Sequence, residues 1–257
     1  MPSAWYIVTK IINLFAMLVK TLGKLHFALF PRARFTIPAH ARPLFRSRKA
    51  YRIPRIVWLT NYSDKVTLAV YCQYLFNRLM APTFEVRYHS DDAARAYIQA
   101  NFPPQVFAAY SRLNIGAAKA DYWRVLVLLR DGGVYLDMDA NFVRPLEWII
   151  GPDDTSYFIT ARDGLITNYF LAAAPDNPLY VEIERAIRTN IDTNSSTDVF
   201  ELTGPAAMRP VLEGRAFPLG THRTVCYQGQ FTNAKLQYPE KSVRKWTEEQ
   251  KDTSVLD

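Results

Sequence analysis

Two carboxylates separated by one residue, Asp137 and Asp139, are the part of this chain best suited to chemistry. They follow Gly132-Gly133 and the short apolar run at residues 134–136, which is typical of a buried strand after the end of a helix. Residues i and i+2 of a strand point to the same side, so both carboxylates should converge just past the strand end. Such a pair suits a divalent cation, and a cation there suits a diphosphate.

Three kinds of site use an Asp-X-Asp pair. A calcium-binding EF-hand loop beginning at Asp137 requires Gly at position 6 and Glu at position 12, where this chain has Phe142 and Trp148. An aspartate-phosphatase loop usually sits early in its domain and carries Thr or Val where this chain has Asn141. The third kind is a nucleotide-sugar transferase, in which the pair holds a metal on the sugar diphosphate. A polar strand end that caps a turn is the non-catalytic alternative.

The residues around the pair form a longer pattern with defined spacing. Its parts are Ala120-Asp121, Arg124, Gly132-Gly133, Tyr135-Leu136-Asp137-Met138-Asp139 and Pro145-Leu146. This run resembles the DXD sugar-binding region of glycosyltransferase family 32. That family includes yeast-type mannosyltransferases and bacterial capsule and lipopolysaccharide transferases, and it shares its core with the clostridial glucosylating toxins. Weaker similarity, in Ile53-Pro54-Arg55-Ile56 and Thr203-Gly204-Pro205, extends the resemblance over roughly residues 53–210.

The resemblance implies roles for several side chains. Asp121 and Arg124 are i,i+3 on a predicted helix and share a face, so Arg124 is expected to contact phosphate oxygens and Asp121 to accept hydrogen bonds from sugar hydroxyls. An ordinary surface ion pair is the alternative. Asp139 is expected to bind Mn²⁺ or Mg²⁺ directly. Asp137 is expected to bind the metal through water or to hold ribose and sugar hydroxyls, and Tyr135 is expected to line the donor site.

Further donor contacts are expected at other strand ends. Trp58 is expected near the nucleotide base, with a buried core aromatic as the alternative. Thr60 and Asn61, at the carboxyl end of the first strand, are placed to hydrogen-bond base or ribose. Asn168 is expected to face the donor sugar or to form a turn. The Ser-Trp segment that often completes this family's site is missing, so His222, Asn233 or water is expected as the third metal ligand.

Composition and periodicity predict a folded α/β protein. The chain has 257 residues, of which 49% are apolar and 14% aromatic, enough for one full core. Predicted strands alternate with predicted helices, which indicates an α/β sandwich. The resemblance implies a single GT-A-like domain with a Rossmann-like nucleotide-sugar binding sheet flanked by helices, at residues 53–257. Cys72 and Cys226 are the only cysteines, so neither a disulfide framework nor a cysteine-rich zinc site is indicated.

Residues 1–52 are predicted to be a membrane-interacting amphipathic helix and a basic linker. Residues 1–55 contain eleven Lys and Arg and no acid, whereas the whole chain is +7, so the remainder is net negative. A nucleic-acid enzyme more often spreads basic residues over its folded domain, and no nucleic-acid partner is expected. Only nine residues separate Lys10 from Lys20, which predicts an interface-lying helix rather than a membrane-crossing one. A core-packed helix is the alternative.

These observations together predict a metal-dependent, configuration-retaining glycosyltransferase. We expect it to move a hexose or N-acetylhexosamine from a nucleotide sugar, a UDP-sugar above all, to a lipopolysaccharide, capsule or other glycan acceptor. The expected location is the cytoplasmic face of a membrane, the bacterial inner membrane, with peripheral binding to anionic lipids. The alternatives are a metal-dependent phosphatase or nucleotide-sugar hydrolase and a non-catalytic membrane-surface adaptor.

Overall fold

Helices cover both faces of a central sheet in the computed structural model, which describes residues 4–241 and 245–257. The helices are α1 (Ala4–Leu29), α2 (Leu68–Met80), α3 (Asp91–Asn101), α4 (Pro104–Ser111), α5 (Gly116–Asp131), α6 (Pro178–Asp192), α7 (Val199–Leu202), α8 (Pro205–Leu212), α9 (Ala234–Gln237) and α10 (Trp246–Asp252). The strands are β1 (Phe35–Thr36), β2 (His40–Ala41), β3 (Ile56–Asn61), β4 (Lys65–Val66), β5 (Glu85–Ser90), β6 (Gly133–Leu136), β7 (Ala140–Phe142), β8 (Ser156–Thr160), β9 (Ile166–Ala173), β10 (Leu219–Thr221) and β11 (Cys226–Gln228).

The central sheet has seven strands in the order β10-β8-β9-β6-β3-β5-β2. Strand β3 runs parallel to both β5 and β6, whereas β9 runs antiparallel to β6 and β8. Because β3 and β6 are parallel neighbours, their carboxyl ends meet at one edge of the sheet. This pairing brings the end of the first predicted strand next to the Asp-X-Asp pair.

Alternation along the strands divides the interior into two cores. Val57 and Leu59 of β3 pack on the α2 side of the sheet. Trp58 of β3 and Tyr135 of β6 pack on the opposite side, against α5 and α6. Successive strand residues point to opposite faces, so a strand covered on both faces is apolar throughout. The predicted α/β sandwich is confirmed.

The longer elements lie where local signals predict them. The hydroxyl of Ser90 accepts a hydrogen bond from the Ala93 amide at the start of α3 (3.3 Å), and Asn177 accepts one from the Leu179 amide at the start of α6 (3.0 Å). The three-residue strands β7, β10 and β11 are too short for a periodic pattern and were not predicted.

Gly132 and Gly133 join α5 to β6 in a conformation that favours glycine. Their φ angles are +65° and +108°. A Cβ at Gly133 would lie 2.8 Å from the carbonyl oxygen of Ile56 and 2.9 Å from Nε1 of Trp58. The indole of Trp58 donates to the Gly132 carbonyl at 2.7 Å. The glycine pair therefore ends the helix and also lets β6 approach β3 closely enough to pair with it.

Helix α1 packs against the body along one narrow stripe. That stripe contains the buried residues Thr9, Ile12, Ala16 and Gly23. A Cβ at Gly23 would lie 2.6 Å from the Cβ of Ala69 in α2, so the two helices approach closely there. The ammonium group of Lys20 donates to the carbonyl oxygen of Gly229 at 2.9 Å. The predicted N-terminal helix is confirmed, and it is anchored by small residues.

A second face of α1 is apolar and exposed. Its large side chains are 47–68% exposed and comprise Tyr6, Ile7, Ile11, Leu14, Phe15, Met17, Leu18, Leu22, Leu25 and Leu29. By length and composition the helix is sufficient to cross a membrane, so the expectation that it is too short was wrong. The count of uncharged residues between Lys10 and Lys20 ignored the apolar turns on either side of these two residues.

The basic linker contributes to the folded body. Strand β1 pairs antiparallel with β4, and β2 adds an antiparallel edge to the central sheet by pairing with β5. Arg34 forms a salt bridge with Glu240, 206 residues away (2.5 Å). The predicted leader and the predicted domain therefore share one sheet.

Candidate active site

A cavity of about 490 Å³ opens at the carboxyl ends of β3 and β6. Its volume falls within the range of small-molecule sites. Eight of the predicted site residues line it: Thr60, Asn61, Asp121, Arg124, Tyr135, Asp137, Asp139 and Asn168. Side chains separated by more than 100 residues in the sequence thus come together at one sheet edge.

The Asp-X-Asp pair converges through a turn. Strand β6 ends at Leu136, and the Ala140 amide donates to the Asp137 carbonyl at 2.9 Å, closing a tight turn between β6 and β7. The Asp137 amide donates to the Tyr169 carbonyl, and the Asp139 carbonyl accepts from the Gly229 amide (2.9 and 2.7 Å). The expected strand alternation was therefore wrong in detail, although both carboxylates reach the same cavity.

Arg124 holds several groups of the site together. Its Nη2 lies 3.1 Å from Oδ1 of Asp121 and 3.2 Å from Oδ1 of Asp137. Its Nη1 donates to the Asn168 carbonyl at 2.7 Å, and its guanidinium carbon lies 4.4 Å from the centre of the Tyr135 ring. Only 4% of Arg124 is exposed. The guanidinium is engaged by both carboxylates, and its expected contact with phosphate oxygens stays a prediction.

Asp121 is likewise fixed by neighbours from other elements. Its Oδ1 accepts a hydrogen bond from Nδ2 of Asn168 at 2.9 Å, and its Oδ2 lies 3.4 Å from the hydroxyl of Thr203. Burial, assisted by the charge of Asp137, raises the pKa of Asp121 to about 6 despite the opposing effect of Arg124. Asn168 lies in β9 and Thr203 follows α7, so both reach Asp121 only through the fold.

Gln228 is a site residue that sequence reasoning missed. Its Nε2 lies 3.0 Å from Oδ1 of Asp139 and 3.3 Å from Oδ2 of Asp137. Strand β11 pairs antiparallel with β7, and in that register Gln228 lies opposite Ala140. The motif to which it belongs, Gln228-Gly229-Gln230, is visible in the sequence. No local sequence pattern connects Gln228 with the two carboxylates, which lie 89 and 91 residues earlier in the chain.

The two carboxylates fit a divalent cation. Burial and the nearby charge of Asp137 raise the pKa of Asp139 to about 7. Two buried carboxylates side by side therefore favour the binding of a proton or a cation at Asp139. Carboxylate and amide oxygens are the ligands that Mn²⁺ and Mg²⁺ prefer, and Gln228 has an amide oxygen on the side chain that already contacts both aspartates.

The raised pKa of Asp139 predicts a pH-dependent stability in the absence of metal. An acid with a folded-state pKa above its unfolded value stabilises fully below about pH 4, and this contribution is lost as the pH rises to about 7. We expect the Tm of metal-free protein to fall over this window, by about 2–4 °C for each kcal/mol lost. Asp139→Asn, which does not titrate, should flatten the profile measured by circular dichroism. An unchanged slope in Asp139→Asn would contradict the prediction.

Trp58 does not line the cavity. Only 1% of it is exposed, and its ring lies 6.2 Å from that of Trp123 in the core. Strand alternation directs it toward α5, where its indole N–H bonds Gly132. The expected base contact was therefore wrong, and the core alternative is confirmed. Tyr62, just beyond the end of β3, does line the cavity.

The two proposed third metal ligands also lie elsewhere. Asn233 accepts from the Leu236 amide at 3.0 Å and so caps α9. His222 follows β10, its ring lies 5.9 Å from that of Tyr227, and it does not line the cavity. Each was inferred from the family resemblance and residue type, which did not reveal that Gln228 lies beside the carboxylates.

The rest of the cavity wall adds polar and cationic groups. Nδ2 of Asn61 is buried and has no hydrogen-bond partner in the described part of the chain. Lys241, Lys245 and Trp246 come from the C-terminal segment and line the same cavity. The site therefore joins an acidic end at Asp137 and Asp139 to a rim with amide and ammonium donors.

Comparisons with known proteins agree with this arrangement. Residues 58–157 match the model of a family described as "Glycosyltransferase sugar-binding region containing DXD motif". The chain is 27% identical over 177 residues to the initiation-specific alpha-1,6-mannosyltransferase of Schizosaccharomyces pombe, covering 60% of this chain and 41% of that protein. It is 28% identical over 131 residues to an uncharacterized glycosyltransferase of Acanthamoeba polyphaga mimivirus, covering 49% of this chain and 50% of that protein. The chain thus spans half or less of these relatives.

A solved structure extends the likeness to the fold. The PaToxG glycosyltransferase superposes with a TM-score of 0.52 at 15% sequence identity, covering 81% of this chain and 78% of that chain. This agrees with the expected glycosyltransferase-type α/β fold. The matched region contains the Asp-X-Asp turn, and the sequence comparisons support a glycosyltransferase family 32-like protein.

Proposed function

We propose that the protein is a metal-dependent, retaining glycosyltransferase that uses a nucleotide sugar, a UDP-sugar above all, as donor. It transfers a hexose or N-acetylhexosamine to a hydroxyl of a lipopolysaccharide, capsule or other glycan acceptor. The observation that carries this proposal is the connected set Asp121, Arg124, Asp137 and Gln228, held by contacts of 3.0–3.3 Å together with Asp139 at the mouth of one cavity. A phosphatase that hydrolyses a generic phosphate ester would not require Asp121 and Arg124.

Asp137 and Asp139 would hold Mn²⁺ or Mg²⁺, with the Gln228 amide beside them. When bound, the metal neutralises negative charge on the departing nucleoside diphosphate. Arg124 keeps Asp121 and Asp137 at a fixed separation by donating to both. Asp121 lines the cavity, and its carboxylate would accept a hydrogen bond from a sugar hydroxyl there.

The opposite end of the cavity suits the nucleoside. The unpartnered Nδ2 of Asn61 is a donor for a base carbonyl, and Tyr62 offers an aromatic ring beside it. A buried amide without a partner is destabilising, so a ligand that accepts from it gains affinity. Lys241 and Lys245 lie on the same wall and suit the negative charge of a diphosphate.

The exposed apolar face of α1 supports peripheral membrane binding. The side chains of that face have the size and exposure to enter the headgroup and acyl boundary of a bilayer. Lys10 and Lys24 border it, and residues 1–55 contain no acid. We propose that the enzyme acts at the cytoplasmic face of a membrane that contains anionic lipids, the bacterial inner membrane.

A thermal-shift screen of nucleotide sugars with and without Mn²⁺ tests the proposed donor. A ligand that binds only the folded state raises the free energy of unfolding by mass action, by about 2.7 kcal/mol at a concentration of 100 times its Kd. Tm rises with it. We expect one nucleotide sugar to raise Tm more with Mn²⁺ than with EDTA, and free sugars to have little effect. Release of nucleoside diphosphate only when a glycan acceptor is added would distinguish transfer from hydrolysis. Metal-independent shifts for every nucleotide would contradict the proposal.

Arg124→Lys should reduce activity without removing the positive charge. A lysine ammonium cannot reproduce the planar fork that reaches Asp121, Asp137 and the Asn168 carbonyl together. We expect kcat/KM to fall by about 10-fold or more, equivalent to about 1.4 kcal/mol.

Arg130→Lys is a matched control, because Arg130 lies on the same helix and its side chain is 45% exposed. It should keep near wild-type kinetics. If both variants had equal kinetics, the Arg124 contacts would be a purely structural ion pair and the prediction would be wrong.

A further inference from the structure

A second cavity of about 500 Å³ lies between the last turns of α1 and the short helix α9. We call it the α1/α9 groove. Two lysines, Lys24 and Lys235, line it. Its walls also include the apolar side chains of Phe27, Pro31 and Leu236. Cationic groups over an apolar floor are complementary to an amphiphilic anion.

The two lysines of the groove have no carboxylate partner in the part of the chain that the structure describes. Neither Lys24 nor Lys235 forms a salt bridge with any carboxylate in residues 4–241 and 245–257. Both side chains are exposed. Lys20, one turn before Lys24, has its pKa lowered by burial and by the charge of Lys24. The described part of the chain thus gathers cations here without neutralising them.

The position of the groove indicates the source of the anion. Leu25 and Leu29 lie on the same last turns of α1, more than half exposed, and Phe30 follows them. The groove therefore opens beside the apolar face that we place in the membrane boundary. An anion that reaches Lys24 from the membrane side is the headgroup of a lipid, and its hydrocarbon chains stay in the bilayer.

We propose that the α1/α9 groove binds the phosphate headgroup of an anionic phospholipid. Lys24 and Lys235 contact the phosphate oxygens, and Phe27, Pro31 and Leu236 pack against the glycerol and the first methylenes. This inference rests on the peripheral membrane binding of the proposed function. Phosphate binding by two lysines adds site-specific affinity to the general attraction between basic residues and an anionic surface.

The groove also lies next to the donor cavity. Helix α9 separates them: Ala234 and Gln237 line the donor cavity, whereas Lys235 and Leu236 line the groove. A bound headgroup would hold the donor cavity within one helix width of the bilayer surface. That arrangement suits an acceptor hydroxyl carried on a membrane-held glycan.

Vesicle flotation of full-length protein tests the groove with a charge-matched control. The variant Lys24→Gln/Lys235→Gln removes both groove lysines, and Lys10→Gln/Lys49→Gln removes two exposed lysines elsewhere in the basic region. Both variants lose two positive charges and so the same general attraction to an anionic surface. On vesicles of phosphatidylcholine with phosphatidylglycerol, we expect the groove variant to bind about 10-fold more weakly than the control. Equal binding of the two variants would overturn the proposal.

A solution measurement separates this proposal from membrane binding as a whole. Dihexanoyl-phosphatidylglycerol below its micelle concentration should raise the Tm of wild type and of the Lys10/Lys49 control, but not of the groove variant. The same shift with inorganic phosphate alone would overturn the lipid assignment. Wild type that never floats, yet shows the shift with the short-chain lipid, would contradict peripheral membrane binding and leave the groove supported.

Discussion

Asp139→Ala should abolish metal-dependent sugar transfer while the protein stays folded. The carboxylate lies in a turn at the cavity and is held by Gln228 at 3.0 Å, so its removal relieves like-charge repulsion with Asp137 and deletes no core packing. We expect transfer and donor hydrolysis to fall by at least 100-fold, with Tm in the absence of metal equal to or above that of wild type. EDTA should have the same effect on wild type, and Mn²⁺ should reverse it.

The control for this substitution is Asp153→Ala, at an exposed position outside the cavity. It should keep both activity and metal response. Direct titration of Mn²⁺ by calorimetry separates metal binding from catalysis, and Asp139→Ala should lose the binding heat. Full activity of wild type in EDTA, or undiminished Mn²⁺ binding by Asp139→Ala, would refute the metal role of the Asp-X-Asp turn.

Replacing two exposed leucines of α1 by glutamate should release the protein from membranes. Leu14 and Leu18 are 68% and 56% exposed, and they lie on the face opposite the stripe that packs on α2. Burial of one leucine contributes about 1.5–3 kcal/mol. Loss of two buried leucine side chains therefore predicts at least about 100-fold weaker partitioning into vesicles, since each 1.4 kcal/mol changes an equilibrium constant tenfold. Added charge repulsion from an anionic surface increases this effect.

Substitution is a better test of membrane binding than truncation. Removing residues 1–30 would also remove Ala16 and Gly23, which pack on the body, and the contact of Phe15 with Phe231 (5.9 Å). A control variant with the same chemistry, Val181→Glu/Leu219→Glu, changes exposed apolar residues of α6 and β10. It should float like wild type. Raised salt should weaken wild-type flotation only in part, because burial is not screened. Unimpaired flotation of Leu14→Glu/Leu18→Glu would rule out the α1 face as the membrane contact.

Local pattern alone determined most of the fold. Apolar periodicity and glycine or proline boundaries predict strands at residues 53–60, 83–89, 134–136, 156–161 and 167–173, which correspond to β3, β5, β6, β8 and β9. They also predict helices at residues 66–80, 91–100, 103–113, 115–130 and 179–188, which correspond to α2 to α6. The spacing of Asp121, Arg124, Asp137 and Asp139 likewise predicted one site, since helix, turn and strand are consecutive and the connection between them is short.

Only the tertiary structure decided how the site is completed. Gln228 reaches the carboxylates through the pairing of β11 with β7, and Thr203 reaches Asp121 across 82 residues of chain. Strand alternation turns Trp58 toward the core, but only the folded chain shows that the Gly132 carbonyl accepts its indole N–H. Likewise, composition showed that α1 is basic and apolar, but packing on Ala69 determined which apolar side chains remain exposed. In each case the deciding contact joins residues distant in sequence, and its free energy depends on a geometry that no local window contains.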